Sequence, residues 1–330
     1  MAALPVGIAP TPPGRHRSPP RLARWNPRSV VSVVATVTAV GAGLLAAGTA
    51  AGSASPPPRS PVVPTYVALG DSYTSGPGIP SRLDPGTVPT APSACLRSSE
   101  NYPSLAATSL GFALTDASCA GATTGDLTGS QGTGIPPQLS AVRPTTSVVT
   151  VGIGGNDLGF SSIVANCAAA TPWGPTKVGW SCARHYGTGG TDPLATALRA
   201  VGAKVAAVLE DIRDRAHHAR VFVIGYPEVI PPSGPGCWPQ LPFSHTDIAF
   251  LRGVEDGLDA TLAHDAGAAG DTYVDMATPS ASHNACTSHS TRWVEPILPS
   301  PDSYPLHPSA AGMAGMAAVL EGAIRSSAAH

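Results

Sequence analysis

The chain has 330 residues, 42% of them apolar and 12% charged, with 36 glycines and 36 prolines. That is enough apolar material for one sizeable core, and the glycine and proline content calls for long ordered loops. Lys177 and Lys204 are the sole lysines, and past residue 54 there are 14 Lys+Arg against 21 Asp+Glu, net −7, so a phosphate-tracking basic stripe and nucleic-acid binding are excluded.

Residues 1–54 hold no acidic residue and five arginines (Arg15, Arg17, Arg21, Arg24, Arg28), followed by an apolar run from Val30 to Ala47 and small residues at 50–54. This is the order of a secretory signal: basic region, apolar region, small-residue cleavage zone. The alternative is an uncleaved anchor holding the rest of the chain outside, but Gly, Ala and Thr dilute the apolar run. A proline-rich link, 55–63, leads to the exported domain, 64–330. All six cysteines lie in that domain: Cys95, Cys119, Cys167, Cys182, Cys237 and Cys286. An even count in an oxidising compartment argues for three disulfides; fifteen pairings exist, and the sequential one is the simplest.

Thr65–Leu69 reads as a buried strand that stops at Gly70-Asp71-Ser72. A second strand ends in the polar, glycine-rich turn Val151-Gly152-Ile153-Gly154-Gly155-Asn156-Asp157. The strongest helix runs from about Pro193 to His217, with Leu194, Leu198, Val201, Val205, Leu209 and Ile212 on one face. Arg220–Tyr226 reads as a fully buried strand, 246–266 as a helix, and Thr272–Asp275 as a shorter strand. The last helix follows Pro308, with Met313, Met316, Ala317, Leu320 and Ile324 on its core side. Apolar strands alternating with amphipathic helices indicate an α/β fold whose parallel sheet is covered on both faces. Ser72 and Asn156 then fall beyond the carboxyl ends of their strands, where such sheets bind ligands.

Taken singly these strings are weak. Gly-Asp-Ser usually marks a turn. Gly152–Asp157 departs from a dinucleotide fingerprint because Asp157 replaces its third glycine. His283, Cys286 and His289 are spaced like metal ligands, but an exported cysteine belongs more often to a disulfide and no fourth ligand is evident, so no metal is expected. The order of four blocks carries the inference: Gly70-Asp71-Ser72-Tyr73-Thr74, Cys119-Ala120-Gly121-Ala122-Thr123-Thr124, Gly154-Gly155-Asn156-Asp157 and His307-Pro308. Together they resemble the SGNH hydrolases, the GDSL lipase/esterase family, over roughly residues 64 to 325.

The resemblance implies a three-layer α/β/α sandwich of the flavodoxin-like kind and a cofactor-free ester hydrolase. Ser72 is its implied nucleophile and His307 its base. The oxyanion donors it implies are the Ser72 N–H, the Gly121 N–H and the Asn156 amide. The cysteine arrangement resembles that of secreted actinobacterial lipases and phospholipases, in which the three pairs are sequential. Asp71 is expected to brace the nucleophile turn, and Pro308 to occupy the first turn of the last helix, whose dipole would help keep His307 neutral. One position departs from the family pattern: Tyr304 stands where an acid three residues before the histidine is usual. The Tyr304 main-chain carbonyl is therefore the preferred partner for His307, ahead of Asp302 five residues before it. The expected partner is an ester or lipid substrate, with contact at a lipid interface and a monomeric, secreted state. Carbohydrate acetylesterase activity, or a non-catalytic surface protein on the same fold, are the alternatives.

Overall fold

The computed structural model describes residues 63–83, 93–170, 181–186 and 192–328, all within a unit spanning Ser60–His330. The arginine-rich leader, its cleavage zone and nearly all of the proline-rich link lie outside the described residues. Among those described, no helix is long and apolar enough to cross a membrane.

Five parallel strands form one sheet: β1 (Thr65–Gly70), β2 (Ala113–Asp116), β3 (Val148–Gly152), β4 (Arg220–Ile224) and β5 (Thr272–Val274). Their order is β2-β1-β3-β4-β5, the doubly wound order whose direction of progression reverses between β1 and β3. Register pairs Leu69 with Val151 and Gly70 with Gly152, so both central strands stop at one level. Ser72 and Asn156 follow those two ends.

Alternation along the strands splits the core in two. Tyr66, Ala68, Phe222 and Ile224 face one layer, formed by α1 (Tyr102–Leu110) and α5 (Ala310–Ser327), from which Met313, Met316, Leu320 and Ile324 project inward. Val67, Leu69, Val149, Val151 and Val223 face the other, formed by α3 (Pro193–Arg215) and α4 (His245–Ala269). The fold is therefore the expected α/β/α sandwich. A further apolar cluster beneath the loops joins α2 (Phe160–Ala170), through Val164, to Val229, Ile230, Leu241, Phe243 and Val294.

Local chemistry sets the helix limits. Asp192 caps α3 by accepting from the Ala195 N–H, and Pro193 occupies the first turn, where its missing N–H matters least. Ser244 caps α4, which ends at Gly270 in the left-handed conformation. The last helix corrects one expectation. Ser309 is its cap, accepting from the Gly312 N–H, and the helix begins at Ala310. Pro308 stands before the cap, bridged to Val294.

Candidate active site

β1 ends at Gly70, whose φ of +157° puts any Cβ 2.2 Å from Thr74 Oγ1 and 2.7 Å from the Gly152 carbonyl, so only glycine fits. The Gln138 side chain clamps this residue, accepting from the Gly70 N–H at 2.8 Å and donating to its carbonyl at 2.9 Å. The next N–H, of Asp71, donates to the Gly152 carbonyl at 3.1 Å, tying the turn to the end of β3. Asp71 then caps the one-turn helix Ser72–Ser75, accepting from the Tyr73 N–H. This is the bracing role expected of it.

His307 Nε2 lies 2.8 Å from Ser72 Oγ. Its Nδ1 lies 2.8 Å from the Pro305 carbonyl. A carbonyl only accepts, so Nδ1 carries the hydrogen and Nε2 presents its lone pair to the hydroxyl. A main-chain carbonyl does hold the ring, but it is that of Pro305 and not of Tyr304. The Tyr304 carbonyl accepts the backbone N–H of His307 at 3.1 Å and so closes the turn. Leu306, at φ +63°, swings the chain so that the Pro305 carbonyl faces the imidazole. Asp302 pairs instead with His289, both side chains being largely exposed. Partial burial pushes the His307 pKa below the usual histidine value, and the bond to Pro305 opposes this.

The other two blocks are stitched together. Asn156 Nδ2 donates to the Ala122 carbonyl at 2.8 Å. Asp157 accepts from the Thr124 N–H and hydroxyl at 2.8 and 2.7 Å and pairs with Lys204 at 3.0 Å. Gly121 sits at φ +79°, in a turn whose base is the Cys95–Cys119 disulfide. Among the described residues, neither the Ser72 N–H nor the Gly121 N–H has an acceptor, and the Asn156 amide retains one hydrogen beyond that given to Ala122.

Two tyrosines that sequence reasoning passed over link these loops. Tyr226 donates to Asp71 Oδ2 at 2.6 Å and accepts from the Gly155 N–H at 3.0 Å, joining the serine turn to the asparagine turn. Tyr73 donates to the Leu306 carbonyl and packs its ring 5.2 Å from that of His307. Tyr73 was visible beside Ser72 and Tyr226 at the end of its strand, but neither partner is local in sequence. Burial raises the Asp71 pKa to about 6, with the Tyr226 bond drawing it back.

Beside Ser72 opens a narrow cleft walled by Asn156, Phe160, Tyr226, Val229, Glu255 and Leu258. The remaining cysteine pairs are Cys167–Cys182 and Cys237–Cys286, so all three disulfides are sequential. Cys286 is thereby committed, and His283 is held by the Thr291 carbonyl against the Trp293 ring.

A hydroxyl–imidazole pair at the switch point of a doubly wound sheet, with an asparagine amide on the same cleft, defines the class as carboxylic-ester hydrolase. The chain belongs to the GDSL-like Lipase/Acylhydrolase family, whose model matches residues 68–314. "Lipase 2" of Streptomyces coelicolor is 38% identical over 287 residues, 86% of this chain and 94% of that protein. Among solved structures, an extracellular lipase from Streptomyces rimosus superposes with a TM-score of 0.63 at 29% identity, covering 79% of this chain and 100% of that one. Phospholipase A1 from Streptomyces albidoflavus gives a TM-score of 0.62 at 27% identity, covering 79% and 99%.

Proposed function

We propose that the protein is an exported lipase or lipid esterase in which Ser72 and His307 act as a dyad. The observation that carries this reading is the 2.8 Å contact from His307 Nε2 to Ser72 Oγ, with the opposite ring nitrogen fixed by Pro305. Ser72 Oγ forms a bond to the ester carbonyl carbon while its proton passes to Nε2. The tetrahedral oxyanion receives hydrogen bonds from the Ser72 N–H, the Gly121 N–H and the Asn156 amide. The carbonyl carbon–oxygen bond to the alcohol then breaks, and Nε2 returns the proton to the leaving oxygen. Water, deprotonated by the same nitrogen, adds to the acyl-serine, releasing the carboxylic acid and regenerating Ser72.

A lipid acyl ester is the substrate class favoured by the mostly apolar cleft and by relatives named lipase and phospholipase A1. Residues 1–54 serve as the export signal, in keeping with an extracellular relative. Trp238, Leu298 and Tyr304, exposed at 56%, 66% and 46%, offer apolar side chains to a lipid surface, and the protein works as a monomer.

Treating the folded protein with a fluorophosphonate should label Ser72, and Ser72→Ala should remove both the adduct and the hydrolysis. A folded sample that hydrolyses esters without labelling at Ser72 overturns the dyad. Activity on nitrophenyl acetate that disappears with any longer acyl chain would favour the acetylesterase reading.

A further inference from the structure

We infer that Glu255 sets the acyl-chain specificity of the cleft beside Ser72, admitting short uncharged acyl groups and disfavouring longer ones that reach its carboxyl; this rests on the acyl-serine reading above. The cleft is apolar on the sides given by Phe160, Val229 and Leu258, and Glu255 stands one turn before Leu258 on α4. Its two carboxyl oxygens accept from the Val229 and Ile230 N–H groups, each at 3.2 Å. These bonds pin the carboxyl to the wall, so it cannot swing out to bulk water when a chain enters. Nor is a cation devoted to it. Arg252, three residues earlier, is engaged by Glu228, by Asp256 and by the Ile230 carbonyl.

The groups around Glu255 come from three segments. On its own helix these are Arg252, Asp256 and Asp259; on the nucleophile turn, Asp71 and Tyr73, with His307 beyond; after β4, Tyr226 and Glu228. Burial, reinforced by Asp259, raises its pKa well above the usual glutamate value, against the pull of Arg252 and the two N–H groups. The carboxyl therefore keeps its proton to higher pH than an exposed glutamate does. An acyl chain that reaches it strips away water, and stripping water from a carboxylate is far more costly than from a carboxylic acid. Preference for long over short chains should therefore fall as pH rises. Asp71 and His307 titrate as well, but they act on the acyl-transfer machinery common to every ester, so their effects cancel in a ratio; Asp259 lies outside the cleft lining and is tested by its own variant.

The test is kcat/KM for nitrophenyl octanoate and nitrophenyl butyrate, measured on the full chain from about pH 5 to about pH 9. The octanoate-to-butyrate ratio should fall about tenfold, as for a penalty equal to one pKa unit, and Glu255→Gln should hold it high and level. Asp259→Asn should keep the transition and move it to lower pH, which preserves the test if the Gln variant does not fold. A level ratio in the unmodified protein, a transition surviving in Glu255→Gln, or one abolished by Asp259→Asn overturns the inference. Failure to hydrolyse either ester would instead overturn the acyl-serine reading on which it rests.

Discussion

The imidazole of His307 is held without a carboxylate, and that choice has a measurable signature. Its Nδ1 hydrogen is fixed by the Pro305 carbonyl at 2.8 Å, a neutral partner that sets the tautomer without stabilising the imidazolium as a charged one would. Partial burial then lowers the pKa, so the neutral base persists to lower pH than a free histidine allows. The acid limb of kcat/KM should accordingly fall below about pH 6.5, the unperturbed histidine value; a limb at or above it would contradict the assigned environment. Asp302 faces His289 at the surface. Asp302→Asn should leave kcat within about twofold, whereas removing a true triad aspartate costs about ten-thousandfold. The expected Tyr304 carbonyl is displaced from the ring by that of the next residue, Pro305. The fragment Tyr304–His307 shows which carbonyls are close in sequence, but the left-handed Leu306 decides which of them turns toward the ring.

At the scale of elements, catalysis depends on loops from distant parts of the chain being stitched at one level of the sheet. In the proposed mechanism Asn156 contributes through a single remaining amide hydrogen, while its other anchors it to Ala122. Asn156→Ala should lower kcat by about 100- to 1000-fold, the usual effect of losing one oxyanion donor, with KM changing little. The Gly121 turn is fastened by Cys95–Cys119, which closes a separation of 24 residues. Replacing both cysteines by alanine should cost about 3 kcal/mol in denaturant unfolding by the chain-entropy relation, and should depress kcat as that turn loosens. Much of this layer was legible: β1, β3 and β4 are apolar runs buried on both faces, and α3 and α5 carry unbroken apolar stripes. β2 was not. Ala113–Asp116 is an edge strand with alternating exposure and only Leu114 as a large apolar residue, so no run announces it. Its partner helix α1 escaped for a similar reason: Asn101 caps it and Pro103 opens it, but its nine residues are mostly small. Gln138 and Tyr226 were illegible on other grounds. Each acts across 68 or more residues, and such contacts exist only once the sheet order is set.

Taken whole, the molecule carries a cluster of buried and part-buried acids beneath its site. Asp71 is raised to about 6 and Asp259 to about 7, chiefly by burial, and Glu255 is raised as well. In the unfolded chain these carboxyls release their protons near pH 4. Between that pH and their folded values, the folded state binds more protons than the unfolded one. Stability from Asp71 and Asp259 is therefore fully present below about pH 4 and is lost as pH rises through about 6 to 7. Asp259 isolates the effect best, because it lies outside the acyl-transfer contacts, accepting from the Tyr226 N–H at 2.9 Å and from the Tyr273 hydroxyl. An asparagine preserves the oxygen that receives the backbone bond and removes the titration. Asp259→Asn should leave stability nearly unchanged at about pH 4 and raise it by a few kcal/mol relative to the parent at about pH 8. Denaturant unfolding at the two pH values, read on parent and variant, measures this difference directly. A variant less stable than the parent at both would mean that the carboxylate is favoured in the fold, and the burial argument for the whole cluster, Glu255 included, would fail with it.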